Sequence, residues 1–316
     1  MLTKNSASSS VQAKKQKRPF SFRRVLRNFA ILLLESCLLI YLVVSIGGAE
    51  IFTKSANRQP SPITPTYYNL GFSNVSFPAA DDNLTIRGWF VPAESERAII
   101  VLHGKDGDRV SWLEPSVPLA RNGFNLLLID LRGHGASDGS NFSYGQYEQR
   151  DVIGAVNYLK GRGFKPEHIG VLGESMGAAV GLLAMARTPD IKAMVADSSY
   201  AELEPELEHA FPILTGGLLP NFFLPGMLLT ASVLHGIDVN QVRPQEAVKQ
   251  VNGRSLLLIH GAQDGLIPVE NIYKLKAAAG ANAETWVVPD ANHVEAQKLQ
   301  HAEYVRRTLA FFQREL

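Results

Sequence analysis

Residues 169–186 read IGVLGESMGAAVGLLAMA. A short apolar run ends at Leu172, Gly173-Glu174-Ser175-Met176-Gly177 follows, and the residues from Met176 to Ala186 are small, apolar and helix-forming. A strand, a tight turn and a helix in direct succession are the context that a G-x-S-x-G nucleophile elbow requires. The reason is steric. A nucleophile on a strained turn needs neighbours without bulk, so a glycine stands two positions to either side. The turn lifts the Ser175 hydroxyl above the sheet, and the following helix directs its first N–H groups at a developing oxyanion. The plainer alternative is a strand–helix turn that happens to carry a serine.

Outward from this stretch, short apolar runs recur at Ala98–Leu102, Asn125–Asp130, Ile169–Leu172, Ile191–Ala196, Leu256–Ile259 and Thr285–Val288. Near-continuous apolar strands imply burial on both faces, as in a parallel sheet. Helical patterns separate them at Tyr147–Lys160, Met176–Ala186, Val269–Ala279 and Leu299–Phe312. The alternation predicts a doubly wound, mostly parallel α/β sheet. Val75–Phe77 and Leu84–Val91 alternate like an antiparallel hairpin ahead of it. Nearly sixty residues divide the strand ending at Ala196 from the one starting at Leu256, far more than a crossover loop needs. They read as a cap inserted at about residues 199–250, whose apolar stretch Phe211–Leu229 packs on the core or shapes an acyl or membrane-facing pocket. Its three prolines and three glycines argue against a second membrane span.

A serine needs a base to activate it and an acid to orient that base, here in the chain order Ser, acid, His. Asp264 stands in a Gly-rich turn, GAQDGLIP, just past the strand LLLI, and His293 stands in the loop ANH after the strand TWVV. Both fall at strand C-terminal ends, where ligands bind in open α/β sheets. Asp197, at the end of MVAD, is the alternative acid. His134, His168, His209, His235 and His260 precede the acid, and His301 lies in the last helical stretch. The N–H of Met176 is the first candidate oxyanion donor. The second comes from the loop His103-Gly104-Lys105-Asp106-Gly107, with Lys105 preferred and Gly104 open.

From about residue 67 onward the chain resembles the α/β-hydrolase-fold serine hydrolases, above all the membrane-anchored α/β-hydrolase-domain proteins and their serine-aminopeptidase and prolyl-oligopeptidase-type relatives. The stretches that carry the resemblance are LTIRGWFVPA, VLHGKDGDR, LLLIDLRGHGASDG, GVLGESMGAA, LLLIHGAQDGLIPV and PDANH. It implies an α/β-hydrolase fold and supports the acid and base roles of Asp264 and His293. It places Asp130 and Arg132 in a structural loop. Many relatives read HGNxG where this chain reads HGKDG.

At the N-terminus, residues 1–28 carry eight basic groups, and the first acid in the chain is Glu35. The remaining residues hold 23 basic and 30 acidic groups, so the overall charge of +1 conceals a body of net −7. Phe29–Ile46 is apolar apart from Glu35 and small polar residues. Eighteen helical residues reach roughly 27 Å, enough to span a hydrocarbon core. Basic residues before the span and few after it place the N-terminus in the cytoplasm and the body outside. The domain boundaries expected are a basic tail at 1–28, a transmembrane signal anchor at 29–48, a Pro-rich linker at 49–66 and a hydrolase domain at 67–316. The competing reading is a signal peptide cleaved near Gly47-Gly48-Ala49, which would release a secreted protein.

The expected activity is hydrolysis of carboxylic esters through an acyl-enzyme, with lipid-like or acyl esters favoured. A peptidase or amidase on the same triad is the second reading, in which Glu202, Glu204, Glu206 and Glu208 would form the clamp for an amine; the plainer alternative for them is a solvated helix face. An inactive binding or scaffold protein is the third. No metal or organic cofactor is expected: H-E-x-x-H and paired cysteines are missing, and GHGASDG fails the dinucleotide spacing. The expected partners are a small-molecule or lipid-like substrate and the membrane, not nucleic acid.

Overall fold

The computed structural model describes residues 21–56 and 61–316; the basic residues at positions 4–18, and Arg58 and Pro60 of the expected linker, lie outside them. The strands are β1 (Ser73–Pro78), β2 (Thr85–Val91), β3 (Ala98–Leu102), β4 (Asn125–Asp130), β5 (Ile169–Glu174), β6 (Ala193–Asp197), β7 (Ser255–Gly261) and β8 (Ala283–Val288). The helices are α1 (Phe22–Thr53), α2 (Leu113–Arg121), α3 (Gln149–Gly161), α4 (Ser175–Arg187), α5 (Leu203–Leu214), α6 (Leu224–His235), α7 (Pro244–Ala247), α8 (Glu270–Ala279), α9 (Ala296–Leu299) and α10 (His301–Glu315).

All eight strands form one sheet in the order β1-β2-β4-β3-β5-β6-β7-β8. The β1–β2 and β2–β4 pairings are antiparallel and the rest are parallel. β3, β4 and β6 are buried at every position, as their largely apolar sequences require. Apolar residues from β3 and β4 pack with Trp112, Leu113, Phe311 and Phe312 into a main core. Arg132 is almost fully buried, and it bridges the carboxylates of Asp82 and Asp151 at 2.7 and 2.6 Å. The α5–α7 segment fills the long interval between β6 and β7 where the cap was expected.

Two elements differ from the sequence expectation. Helix α2 was hidden because Pro115 and Pro118 break the helical pattern; Pro115 falls in the first turn, where a missing N–H costs nothing. Helix α1 begins at Phe22 and continues to Thr53, through the first residues assigned to the linker. The chain falls into two compact units, one ending at Val43 and one running from Val44 to Leu316. In the second unit, Ser45, Ala49 and Thr53 recur every four residues on one face and are buried, so helical packing replaces extended chain there. Gly48 approaches Met227 of α6 so closely that a Cβ would lie 2.5 Å from its methyl carbon. Thr53 and Phe52 accept from the Phe142 N–H at 2.7 Å and the Tyr144 hydroxyl at 2.9 Å. α1 is long and apolar enough to cross a membrane. Membrane anchors and signal sequences both carry a helix of this kind near the N-terminus.

Candidate active site

Ser175 opens α4 directly after β5, and its φ of +48° lies in the left-handed region that non-glycine residues rarely adopt. The flanking glycines make the turn possible. A Cβ on Gly177 would lie 2.5 Å from the His103 carbonyl oxygen, and one on Gly173 would lie 2.6 Å from that of Gly177. Both approaches involve backbone, so neither site can relax around a methyl group.

His293, in the loop after β8, places Nε2 2.9 Å from Ser175 Oγ. Its Nδ1 lies 2.7 Å from Asp264 Oδ2, in the turn after β7. With Nδ1–H donated to the carboxylate, Nε2 presents a lone pair to the hydroxyl. Asp264 is buried, and its second oxygen accepts the N–H groups of Leu266 at 3.0 Å and Ile267 at 2.8 Å. Burial would raise its carboxyl, but hydrogen bonds from His260 and His293, with the Ile267 N–H, hold it down at about 2. Asp264 is therefore charged at neutral pH. The alternative acid, Asp197, makes a different bond: Ser198 Oγ lies 3.0 Å from its Oδ1, and burial pushes its carboxyl up to about 6. His260, near the end of β7, is fully buried, with Nε2 2.8 Å from the Ile267 carbonyl oxygen.

The loop after β3 is held from three sides. His103 Nε2 accepts the Leu131 N–H at 3.0 Å, which leaves its Nδ1 proton for the Gly104 carbonyl at 2.7 Å. The Gly104 N–H donates to Glu174 Oε1 at 3.0 Å. Asp106 Oδ1 accepts the Ala56 N–H at 2.8 Å, which ties the chain just beyond α1 to this loop. Gly104 is thus already engaged, whereas the Lys105 N–H has no hydrogen-bond partner among the described residues. Met176 lies in the first turn of α4, where N–H groups have no partner within the helix.

Glu174 was missed from sequence. Burial pushes its carboxyl up to about 7. Its one sequence signal is an acid in an otherwise uncharged run, IGVLGESMGAAV. Of the four cap glutamates proposed as an amine clamp, Glu202 pairs with Arg243 at 2.9 Å and Glu206 accepts from Asn271 at 2.9 Å. Glu204 and Glu208 line a cavity of about 450 Å³ in the cap, to which none of Ser175, Asp264 or His293 contributes. Among the described residues, no group of three His, Cys, Asp or Glu is placed to hold a metal ion.

Sheet order, the elbow after β5 and a helical cap between β6 and β7 define the α/β-hydrolase fold, and the chain has it. The sequence pattern of the α/β hydrolase fold family matches residues 97–238. The esterase Pf2001 of Pyrococcus furiosus superposes with a TM-score of 0.69 at 27% identity, covering 83% of this chain and 98% of the esterase. The uncharacterized protein YfhR of Escherichia coli is 27% identical over 248 residues, 74% of this chain and 78% of YfhR. The uncharacterized protein YqkD of Bacillus subtilis is 28% identical over 231 residues, 72% of this chain and 74% of YqkD. Fold and neighbours together support a hydrolase.

Proposed function

We propose that the chain is a membrane-anchored serine hydrolase that cleaves carboxylic esters. The observation that carries this reading is the relay from Ser175 Oγ through His293 to Asp264, at 2.9 and 2.7 Å. His293 Nε2 takes the Ser175 proton as Oγ attacks the ester carbonyl. The N–H groups of Met176 and Lys105 hold the oxyanion; losing one such donor typically costs about 10²–10³ in rate. His293 then protonates the departing alkoxide, leaving an acyl-enzyme and an alcohol. Water attacks with His293 as base, and the carboxylic acid leaves as Ser175 regains its proton. The likeness to an esterase supports an ester as substrate.

The anchor reading is favoured over signal cleavage because cutting near Ala49 would sever turns whose Ser45, Ala49 and Thr53 are buried and whose Glu50 pairs with His235 at 2.8 Å. The charge asymmetry of the sequence supports a domain outside the cytoplasm.

One experiment tests activity and orientation together. A membrane-impermeant fluorophosphonate applied to intact cells should label the protein, and purified protein should cleave nitrophenyl esters at least about 10²-fold faster than aminoacyl-anilides. Labelling only after lysis would reverse the orientation. No labelling in either case would favour a scaffold, and faster anilide cleavage would favour the peptidase.

Glu174 acts in this reading by positioning the oxyanion loop. Glu174→Ala should lower kcat by roughly 10–10²-fold, the scale of a displaced catalytic group. Glu174→Gln, which keeps an accepting oxygen for Gly104, should recover most of it. The carboxyl stays protonated to about pH 7 in the fold and ionises near 4.5 when unfolded. Between those values unfolding releases a proton, so stability falls as pH rises. Chemical denaturation across pH 4.5–7 should show a flatter slope in Glu174→Gln; an unchanged slope would place the titration elsewhere.

A further inference from the structure

The cap contains a stretch that water alone does not account for. From residue 209 to 237, 29 positions, there is no Asp, Glu, Lys or Arg. Within it Ile213, Leu214, Leu218, Leu229, Val233 and Leu234 are exposed, Leu218 to 84% and Val233 to 75%. Six large apolar side chains exposed within one stretch exceed the singly scattered ones that are normal on a soluble surface. Helix α6 is two-faced but apolar on both faces. Leu224, Met227 and Ala231 are buried, while Leu229 and Val233, one turn apart, point outward.

What covers the outward face follows from what holds the inward one. Gly48 meets Met227, Glu50 pairs with His235, and Ala49, Phe52 and Thr53 line an apolar pocket with Leu224, Met227 and Ala231. These residues belong to the last turns of α1, the helix long and apolar enough to cross a membrane. These turns and the most apolar part of α1 belong to one continuous helix, so the cap packs on the helix that would cross the membrane. Helix α6 itself has 12 residues, about 18 Å, too short to cross the ~30 Å hydrocarbon core. It suits a surface position.

We propose that the exposed apolar side chains of the cap, Leu218, Leu229 and Val233 among them, seat on the lipid surface in which α1 is anchored. Resting on the hydrolase reading, the site would then receive its ester substrate from the bilayer, as a long-chain acyl ester. The docking itself does not depend on that reading.

The test uses the full chain in phosphatidylcholine–phosphatidylglycerol vesicles. In a Cys37→Ser background, Leu218→Cys, Leu229→Cys and Val233→Cys are each labelled with a polarity-sensitive fluorophore, with Tyr273→Cys on α8 as control. Spin-labelled phospholipid should quench the three cap labels at least two-fold and leave the control unquenched. Equal emission with and without spin-labelled lipid at all three cap positions would overturn the proposal. Energy transfer between labelled copies without lipid quenching would also overturn it, by making a second copy the occupant. A Leu229→Glu, Val233→Glu double variant should hydrolyse a vesicle-embedded long-chain ester at least 10-fold more slowly, with a soluble short-chain ester unaffected. An unchanged rate on vesicles would count against docking. The quenching needs no turnover, so failure of the hydrolase reading and failure of docking remain distinguishable.

Discussion

Ser175→Ala should lower kcat by on the order of 10⁶-fold while leaving the thermal transition within a few degrees of the parent. Removing the nucleophile of a serine relay costs about as much as removing the relay entirely, because base and acid have nothing left to activate. The residual rate would come from the oxyanion donors and substrate binding. The fold should tolerate the change, since alanine removes one oxygen whose recorded bond is to His293. The left-handed backbone at position 175 costs alanine no more than serine, since both carry a Cβ. Ester hydrolysis and fluorophosphonate labelling measure the loss. Labelling that persists in Ser175→Ala would move the nucleophile elsewhere.

Asp264→Asn should be the second-largest effect, about 10⁴-fold in kcat, with a smaller loss of stability than Asp264→Ala. An amide in place of the carboxylate favours the wrong histidine tautomer: its NH₂ group would donate toward His293 Nδ1 and move the ring proton to Nε2, where the Ser175 proton must go. The same side chain can still accept the Leu266 and Ile267 N–H groups through its remaining oxygen, so the turn should hold. Asp264→Ala would lose those acceptors as well, leaving buried donors unpaired at about 1–3 kcal/mol each. Activity and melting temperature, measured together, separate the two variants. Because the carboxyl is held at about 2, below its ordinary 3.8, the stability it contributes is complete above about pH 4 and is lost only as pH falls toward 2. Its own titration therefore lies below any activity profile run above pH 4. If Asp264→Asn kept a tenth or more of the activity and Asp197→Asn abolished it, the acid would be Asp197.

Much of the architecture was legible because burial on both faces leaves an unmistakable run. Ala98–Leu102 and Asn125–Asp130 form β3 and β4 with the boundaries read from sequence. Legibility failed where local and tertiary signals disagree. Pro115 and Pro118 hid α2, because they break the helical pattern; Pro115 sits in the first turn, where its N–H is not needed, and Pro118 is carried inside the folded helix. Proline content after residue 55 suggested a linker from 49, whereas packing of Ser45, Ala49 and Thr53 carries α1 on to Thr53. Glu174 reads as one acid in a turn; only the fold brings its oxygen to the Gly104 N–H, seventy positions away in the chain.

The sequence by itself determined the alternation of strands and helices, the elbow around Ser175, the cap and the apolar N-terminal helix. Each of these depends on neighbours within about a dozen residues, where side-chain periodicity and steric size act directly. Only the tertiary structure decided that His293 meets Asp264 and not Asp197, that Gly104 is engaged by Glu174, and that the end of α1 packs on the cap. These contacts join residues 29 to about 180 positions apart. Such pairs leave no local periodicity, because what sets their distance is the register of the whole sheet and the volume of the core between them.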